Sequence, residues 1–268
     1  MQWLTTSDAL RIAYTIDDYT DPWTTPQTLI LLHSAMSSSR RLYAMVPHLA
    51  RRLRVVRMDL RGHGESGVPR ADQPLTLARL TQDVSELLDH LHVEATHFLG
   101  VSGGGYLAQQ LAIHHPARVL SILLFASRPG FKDSKGADWI PEMERVGLRA
   151  FIAETINERL PVERLGLAQI EWFLDEIARN DEAFVKRFIR YMTTQYWMND
   201  LARIRCPTLL VAPAGDVIGN AAAYAEMQRL IPGSELVMYD AANHNICDYL
   251  PDRCAQDALE FLDRKFPQ

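Results

Sequence analysis

The chain alternates short apolar runs with longer stretches in which apolar residues recur every three or four positions. Runs at 28–32, 54–58, 96–100, 119–125, 208–212 and 235–239 have strand length, and several carry apolar side chains at successive positions. Such runs predict strands buried on both faces. An opening hairpin is predicted from 3–5 and 11–16. After Thr76, the residues Leu77, Leu80, Val84, Leu87, Leu88 and Leu91 fall on one helical face, with Thr76 placed to cap it. A second helix is predicted from about Gly104 to just before Pro116, and a last one from Pro251, a favoured first-turn residue, burying Cys254, Ala258, Phe261 and Leu262. Strands joined by helical crossovers predict a mostly parallel α/β sheet with helices on both faces.

The pattern changes between 131 and 203. No strand is evident there, only helical stretches at 141–159 and 166–197, dense in aromatics such as Trp139, Phe151, Trp172, Phe188, Tyr196 and Trp197. The expected organisation is therefore one core, 1–130 and 204–268, with a helical cap at 131–203. Most of these aromatics should anchor the insertion by ordinary packing. A few would face a pocket.

Composition narrows the function classes. With 28 Lys+Arg against 33 Asp+Glu, the chain offers no concentrated positive field for nucleic acid. The apolar runs are far shorter than the roughly 20 residues of a membrane-spanning helix. The first residues, Met1 to Asp8, lack the basic and apolar segments of a signal peptide, so a cytoplasmic location is expected. Cys206, Cys247 and Cys254 suit a reducing compartment, and without a paired C-x-x-C they do not make a zinc site beside His244. No metal and no cofactor are expected. The expected partner is a small-molecule substrate, with neither nucleic acid nor membrane; a homodimer is left open.

The strongest chemical signal is Gly100-Val101-Ser102-Gly103-Gly104, where a buried strand gives way to a helix. A serine on so tight a turn needs neighbours without side chains, and the turn lifts its hydroxyl above the sheet edge. The Gly103 amide then sits in the first helical turn, where unpaired N–H groups favour negative charge. Serine needs a base, and the base an orienting acid. His244 follows the strand at 235–239 and Asp216 follows the strand at 208–212, so both loops converge on the edge that carries Ser102. Asp133 is the alternative acid. His33 and His63 are read as structural hydrogen-bonders, and His48, His90, His92, His97, His114 and His115 fall on helices or connections. The Ala35 amide, in the loop after the strand at 28–32, is the candidate second oxyanion donor.

These residues resemble the α/β-hydrolase fold family along essentially the whole chain. The motifs that carry the likeness are His33-Ser-Ala-Met36, Asp59-Leu-Arg-Gly-His-Gly-Glu-Ser66, Gly100-Val-Ser-Gly-Gly104, Pro207-Thr-Leu-Leu-Val211 leading to Asp216, and Ala242-Asn-His244. Within that family the chain is most similar to 3-oxoadipate enol-lactonases of aromatic catabolism and related small-molecule esterases. The resemblance implies Ser102 as nucleophile, His244 as base, Asp216 as orienting acid, and Ala35 and Gly103 as oxyanion amides, with the Arg61-Gly62-His63-Gly64 loop structural. It departs from the family pattern at Ser34, Gly103 and Asn243.

The expected activity is hydrolysis of a carboxylic ester or lactone through an acyl-enzyme. Ser34, Met36, Arg128, Trp139, Tyr196 and Trp197 are the candidate substrate contacts, Arg128 as partner of a substrate carboxylate or else as a structural ion pair. Three other readings use the same scaffold: a cofactor-free dioxygenase, a C–C bond hydrolase, and a non-catalytic ligand receptor.

Overall fold

The computed structural model describes every residue except Asp133 and Gln268. Eight strands, β1 (Gln2–Thr5), β2 (Arg11–Asp17), β3 (Thr28–Leu32), β4 (Arg54–Met58), β5 (Thr96–Val101), β6 (Val119–Phe125), β7 (Thr208–Pro213) and β8 (Glu235–Tyr239), form one sheet in the order β1-β2-β4-β3-β5-β6-β7-β8. β2 runs antiparallel to β1 and β4; from β4 to β8 every pairing is parallel. Around it lie α1 (Val46–Leu49), α2 (Leu77–His90) and α3 (Gly103–His114). Between β6 and β7 come α4 (Gly136–Val146), α5 (Leu148–Glu154), α6 (Leu167–Ala178) and α7 (Glu182–Met192), and the chain closes with α8 (Ala221–Leu230), α9 (Ile246–Tyr249) and α10 (Pro251–Lys265).

The alternation of side chains along each strand divides the interior in two. Ile30, Leu32, Val56, Phe98, Ile122 and Leu124 face one side, with Val84 and Leu87 of α2 and Leu107 and Leu111 of α3. Leu29, Leu31, Val55, Leu99, Leu123 and Phe125 face the other, with Leu49 of α1 and Cys254, Ala258, Phe261 and Leu262 of α10. Because β3 to β8 run parallel, their carboxyl ends share one edge. The loops after β3, β5, β7 and β8 therefore meet there, and functional loops gather at that edge in sheets of this type.

The predicted strands and the helices at α2, α3 and α10 are present. The helical segment is more broken than its apolar periodicity predicts. α4 starts at Gly136 rather than at Pro141, which lies inside it, and Gly147, at φ +82°, separates α4 from α5. The 166–197 stretch splits where the Asp181 carboxylate caps α7 by accepting from the Phe184 N–H at 2.7 Å. It also ends early: Tyr196 lies beyond α7, bridged to Gly130 in antiparallel fashion. Among the described residues no helix is long and apolar enough to cross a membrane.

Candidate active site

β5 delivers Ser102 to the sheet edge with φ +48° and ψ −114°, a conformation that costs a side-chain-bearing residue energy and persists only when its surroundings enforce it. The surroundings are specific. Ser102 N–H donates to the Phe125 carbonyl at 2.8 Å, and its own carbonyl accepts from Gly105 N–H at 3.0 Å and from the Ser127 hydroxyl at 2.8 Å. A Cβ on Gly104 would overlap the Leu32 carbonyl, and one on Gly100 would overlap the backbone of Gly105, so β3, β5 and α3 approach as closely as they do only with glycine there.

Two other loops complete the arrangement. His244, after β8, places Nε2 2.9 Å from Ser102 Oγ and Nδ1 2.9 Å from each Asp216 oxygen. Asp216, after β7, is itself held. Oδ1 accepts from Ile218 N–H at 2.9 Å and Gly219 N–H at 2.7 Å, and Oδ2 accepts from the Tyr224 hydroxyl at 2.7 Å. Burial alone would push this carboxyl up. His244 and the donors from Gly219 and Tyr224 outweigh it and keep Asp216 below the ordinary carboxylate range. The result is a buried anion facing one nitrogen of an imidazole whose other nitrogen faces a strained serine. Such a relay can take a proton from the hydroxyl as it attacks.

The loop after β3 supplies the third element. His33 is buried and its pKa is lowered to about 4, chiefly by burial, so it is neutral near pH 7. Its Nε2 accepts from Leu60 N–H at 2.9 Å, which leaves Nδ1–H to donate to the Ser34 carbonyl at 2.8 Å. In a trans peptide the C=O and the following N–H point in opposite directions. Fixing the Ser34 carbonyl against His33 thus turns the Ala35 N–H away from it. Ala35 N lies close to Gly103, within 3.0 Å of where a Cβ on that glycine would stand. Gly103 is the first residue of α3, whose N–H has no intrahelical acceptor.

The residues 27–149 match the family model of the alpha/beta hydrolase fold. The chain is 30% identical over 205 residues to 3-oxoadipate enol-lactonase 1 of Acinetobacter baylyi, covering 74% of each chain. It superimposes on a hydrolase from Pseudomonas aeruginosa with TM-score 0.86 and 31% identity, covering 97% of both. The chain belongs to the α/β-hydrolase fold family. A pimeloyl-[acyl-carrier protein] methyl ester esterase of Nitrosomonas europaea is 28% identical over 81% of this chain and 88% of its own.

In this α/β hydrolase a small cavity of about 50 Å³ opens onto Ser102 and His244. Ser34, Ala35, Met36 and Gly103 line it from the core, and Trp139, Phe173, Phe188 and Met192 from the helical segment. Of the candidate substrate contacts, Ser34, Met36 and Trp139 thus reach the cavity.

Three do not. Arg128 turns to donate to the Lys132 carbonyl at 2.9 Å, closing a local loop after β6, and takes no part in the cavity wall. Tyr196 is half exposed, and its backbone pairs with Gly130 outside the cavity wall. Trp197 is buried but behind Ser102: its Nε1–H donates to Gln109 at 2.9 Å, and the Gln109 amide donates to Ser127 Oγ at 3.3 Å. Ser127 in turn holds the Ser102 carbonyl, so Trp197 ends a chain of hydrogen bonds that props the strained turn. The alternative acid Asp133 lies outside the described residues. His63 packs edge-on against His33, Phe184 and Phe188 in the buried Arg61–Gly64 loop, while Arg61 pairs with Asp83 and Asp8.

Sequence reasoning missed Arg41 and Arg159, both buried and both in the cavity wall, and the buttress of Gln109 and Ser127. Neither arginine stands in a recognisable motif; each reaches the cavity through long-range packing. Among the described residues no group of three His, Cys, Asp or Glu side chains is arranged to hold a metal.

Proposed function

We propose that this protein hydrolyses a carboxylic ester or lactone of a small substrate, with Ser102 as nucleophile, His244 as general base and Asp216 as its orienting acid. The observation that carries the reading is the unbroken relay from Asp216 through His244 to Ser102 Oγ, ending in a largely apolar cavity. Ser102 Oγ bonds to the carbonyl carbon while its proton passes to His244 Nε2. Negative charge develops on the carbonyl oxygen, for which the Ala35 and Gly103 amides are the donors. One such donor is worth about 3 kcal/mol of transition-state stabilisation. Collapse breaks the C–O bond, His244 returns the proton to the departing alkoxide, and a water activated by the same imidazole releases the acid. The helices between β6 and β7 serve as a cap that excludes bulk water, and two of the relatives are named for cleaving a lactone and a methyl ester.

A substrate panel tests this. Short p-nitrophenyl esters, enol-lactones and vinylogous diketones are assayed with oxygen uptake recorded in parallel. Turnover of esters or lactones without oxygen consumption is expected. Oxygen uptake, exclusive C–C cleavage, or tight binding without turnover would each replace the reading.

A further inference from the structure

The cavity wall contains two buried guanidinium groups in different electrostatic situations. Arg41 is neutralised: its Nε and Nη2 donate to the two oxygens of Asp248 at 2.8 and 2.6 Å. Arg159, only 3% exposed, has no carboxylate within ion-pair distance among the described residues. Its Nη1 donates to the carbonyl and hydroxyl of Thr155 at 3.0 and 2.8 Å, while its Nη2 is buried without any acceptor. The faces of Trp139 and Phe151, at 5.3 and 5.7 Å, give it partial compensation only. Burial lowers its pKa to about 10, which leaves it charged at neutral pH.

Leaving a buried charge unpaired is expensive, so such a group is either a flaw in the fold or half of an interaction that the substrate completes. Its placement favours the second. The Arg159 carbonyl accepts from Asn245 N–H at 3.1 Å, and the Asn243 side chain donates to the Asn157 carbonyl at 2.7 Å. The residues on either side of His244 therefore fix the position of this cation relative to the base. Asn243 supplies one of the two ties.

We propose that Arg159 binds an ionised carboxylate of the substrate, so that the natural substrate is an ester or lactone carrying a second, free carboxyl group. This rests on the hydrolase reading above. One positive charge that the Glu158 carboxylate offsets only through space, with no carboxylate bonded to it among the described residues, matches a monoanion in a small apolar cavity, and a guanidinium N–H to carboxylate pair is among the strongest hydrogen bonds available there.

The test compares monomethyl and dimethyl esters of succinate, glutarate and adipate. The unmodified enzyme should prefer the monomethyl ester of the best-fitting diacid by about 30-fold or more in kcat/KM, mainly through KM. Arg159→Gln should bring that ratio to near one, and Arg159→Lys should restore part of it. A ratio near one in the unmodified enzyme, or a ratio untouched by Arg159→Gln, overturns the proposal. If the glutamine variant does not fold, competition by hexanoate against hexanamide in the unmodified enzyme decides: preference for the anion supports the proposal, and equal inhibition overturns it. If neither ester is turned over and a fluorophosphonate leaves Ser102 unlabelled, the hydrolase reading fails by itself. Calorimetry of monomethyl against dimethyl adipate on the same chain then decides whether Arg159 binds the anion.

Discussion

Replacing Asp216 with asparagine keeps the shape of the acid and removes its charge. Oδ1 receives two backbone N–H groups, from Ile218 and Gly219. The amide oxygen of an asparagine must therefore occupy that site, since an NH2 would face two donors. The NH2 is then forced into the Oδ2 site, 2.9 Å from His244 Nδ1. A donor there requires Nδ1 to accept, which moves the imidazole proton to Nε2, the atom facing Ser102 Oγ. The base is thereby lost, and the imidazolium of the transition state loses its counter-charge. The expected cost is about 10⁴-fold in kcat, or about 5.5 kcal/mol. Tyr224→Phe is the control: it removes one donor to Oδ2 and leaves the carboxylate, so it should cost at most about 10-fold in kcat. Steady-state hydrolysis of p-nitrophenyl acetate and the labelling rate of Ser102 by a fluorophosphonate measure both, with circular dichroism to establish folding. A folded Asp216→Asn enzyme within 10-fold of the parent in kcat would refute the assignment of tautomer and charge.

Two further predictions concern the scaffold. Gly104→Ala drives a methyl group into the Leu32 carbonyl, where β3 and α3 are both fixed, and should cost about 3 kcal/mol or more in urea unfolding; an unchanged midpoint would contradict the packing described for the turn. The neutral ring of His97 lies between Ser121 Oγ at 2.8 Å and Gln27 Oε1 at 3.1 Å, and burial lowers its pKa to about 4 from the ordinary 6.5. Between those values the unfolded chain takes up a proton that the folded chain refuses, so this contribution is complete above pH 6.5 and is lost as pH falls towards 4. His33 and His63, lowered to about 4 and about 3, act in the same direction. Near pH 5, His97→Gln should reduce the pH dependence of stability by about 1.4 kcal/mol per pH unit; an unchanged slope would show that His97 is protonated in the folded state.

The features readable from the sequence are those encoded locally. A strand such as β3 announces itself by continuous apolar character, and the strained turn announces itself because Gly100, Gly103 and Gly104 surround a serine between a strand and a helix. Parallel topology then carries Asp216 and His244 to the same edge without any knowledge of side-chain direction. What failed depended on direction. Arg128 directly follows β6 and its flanking residues, yet its side chain folds back on Lys132. Trp197 is as buried as a pocket residue would be but serves the opposite side of Ser102 through Gln109. Arg159 was not distinguishable among the 28 basic residues, because its burial and its missing partner arise from contacts with Trp139, Phe151 and the His244 loop.

The most direct test of the whole account is mass spectrometry of the enzyme during turnover of a slowly deacylating p-nitrophenyl ester. A mass increase equal to the acyl group is expected, mapped to the peptide containing Ser102 and absent from Ser102→Ala, whose turnover falls to background. An acyl group on another residue, or undiminished turnover by pure Ser102→Ala protein, would contradict it.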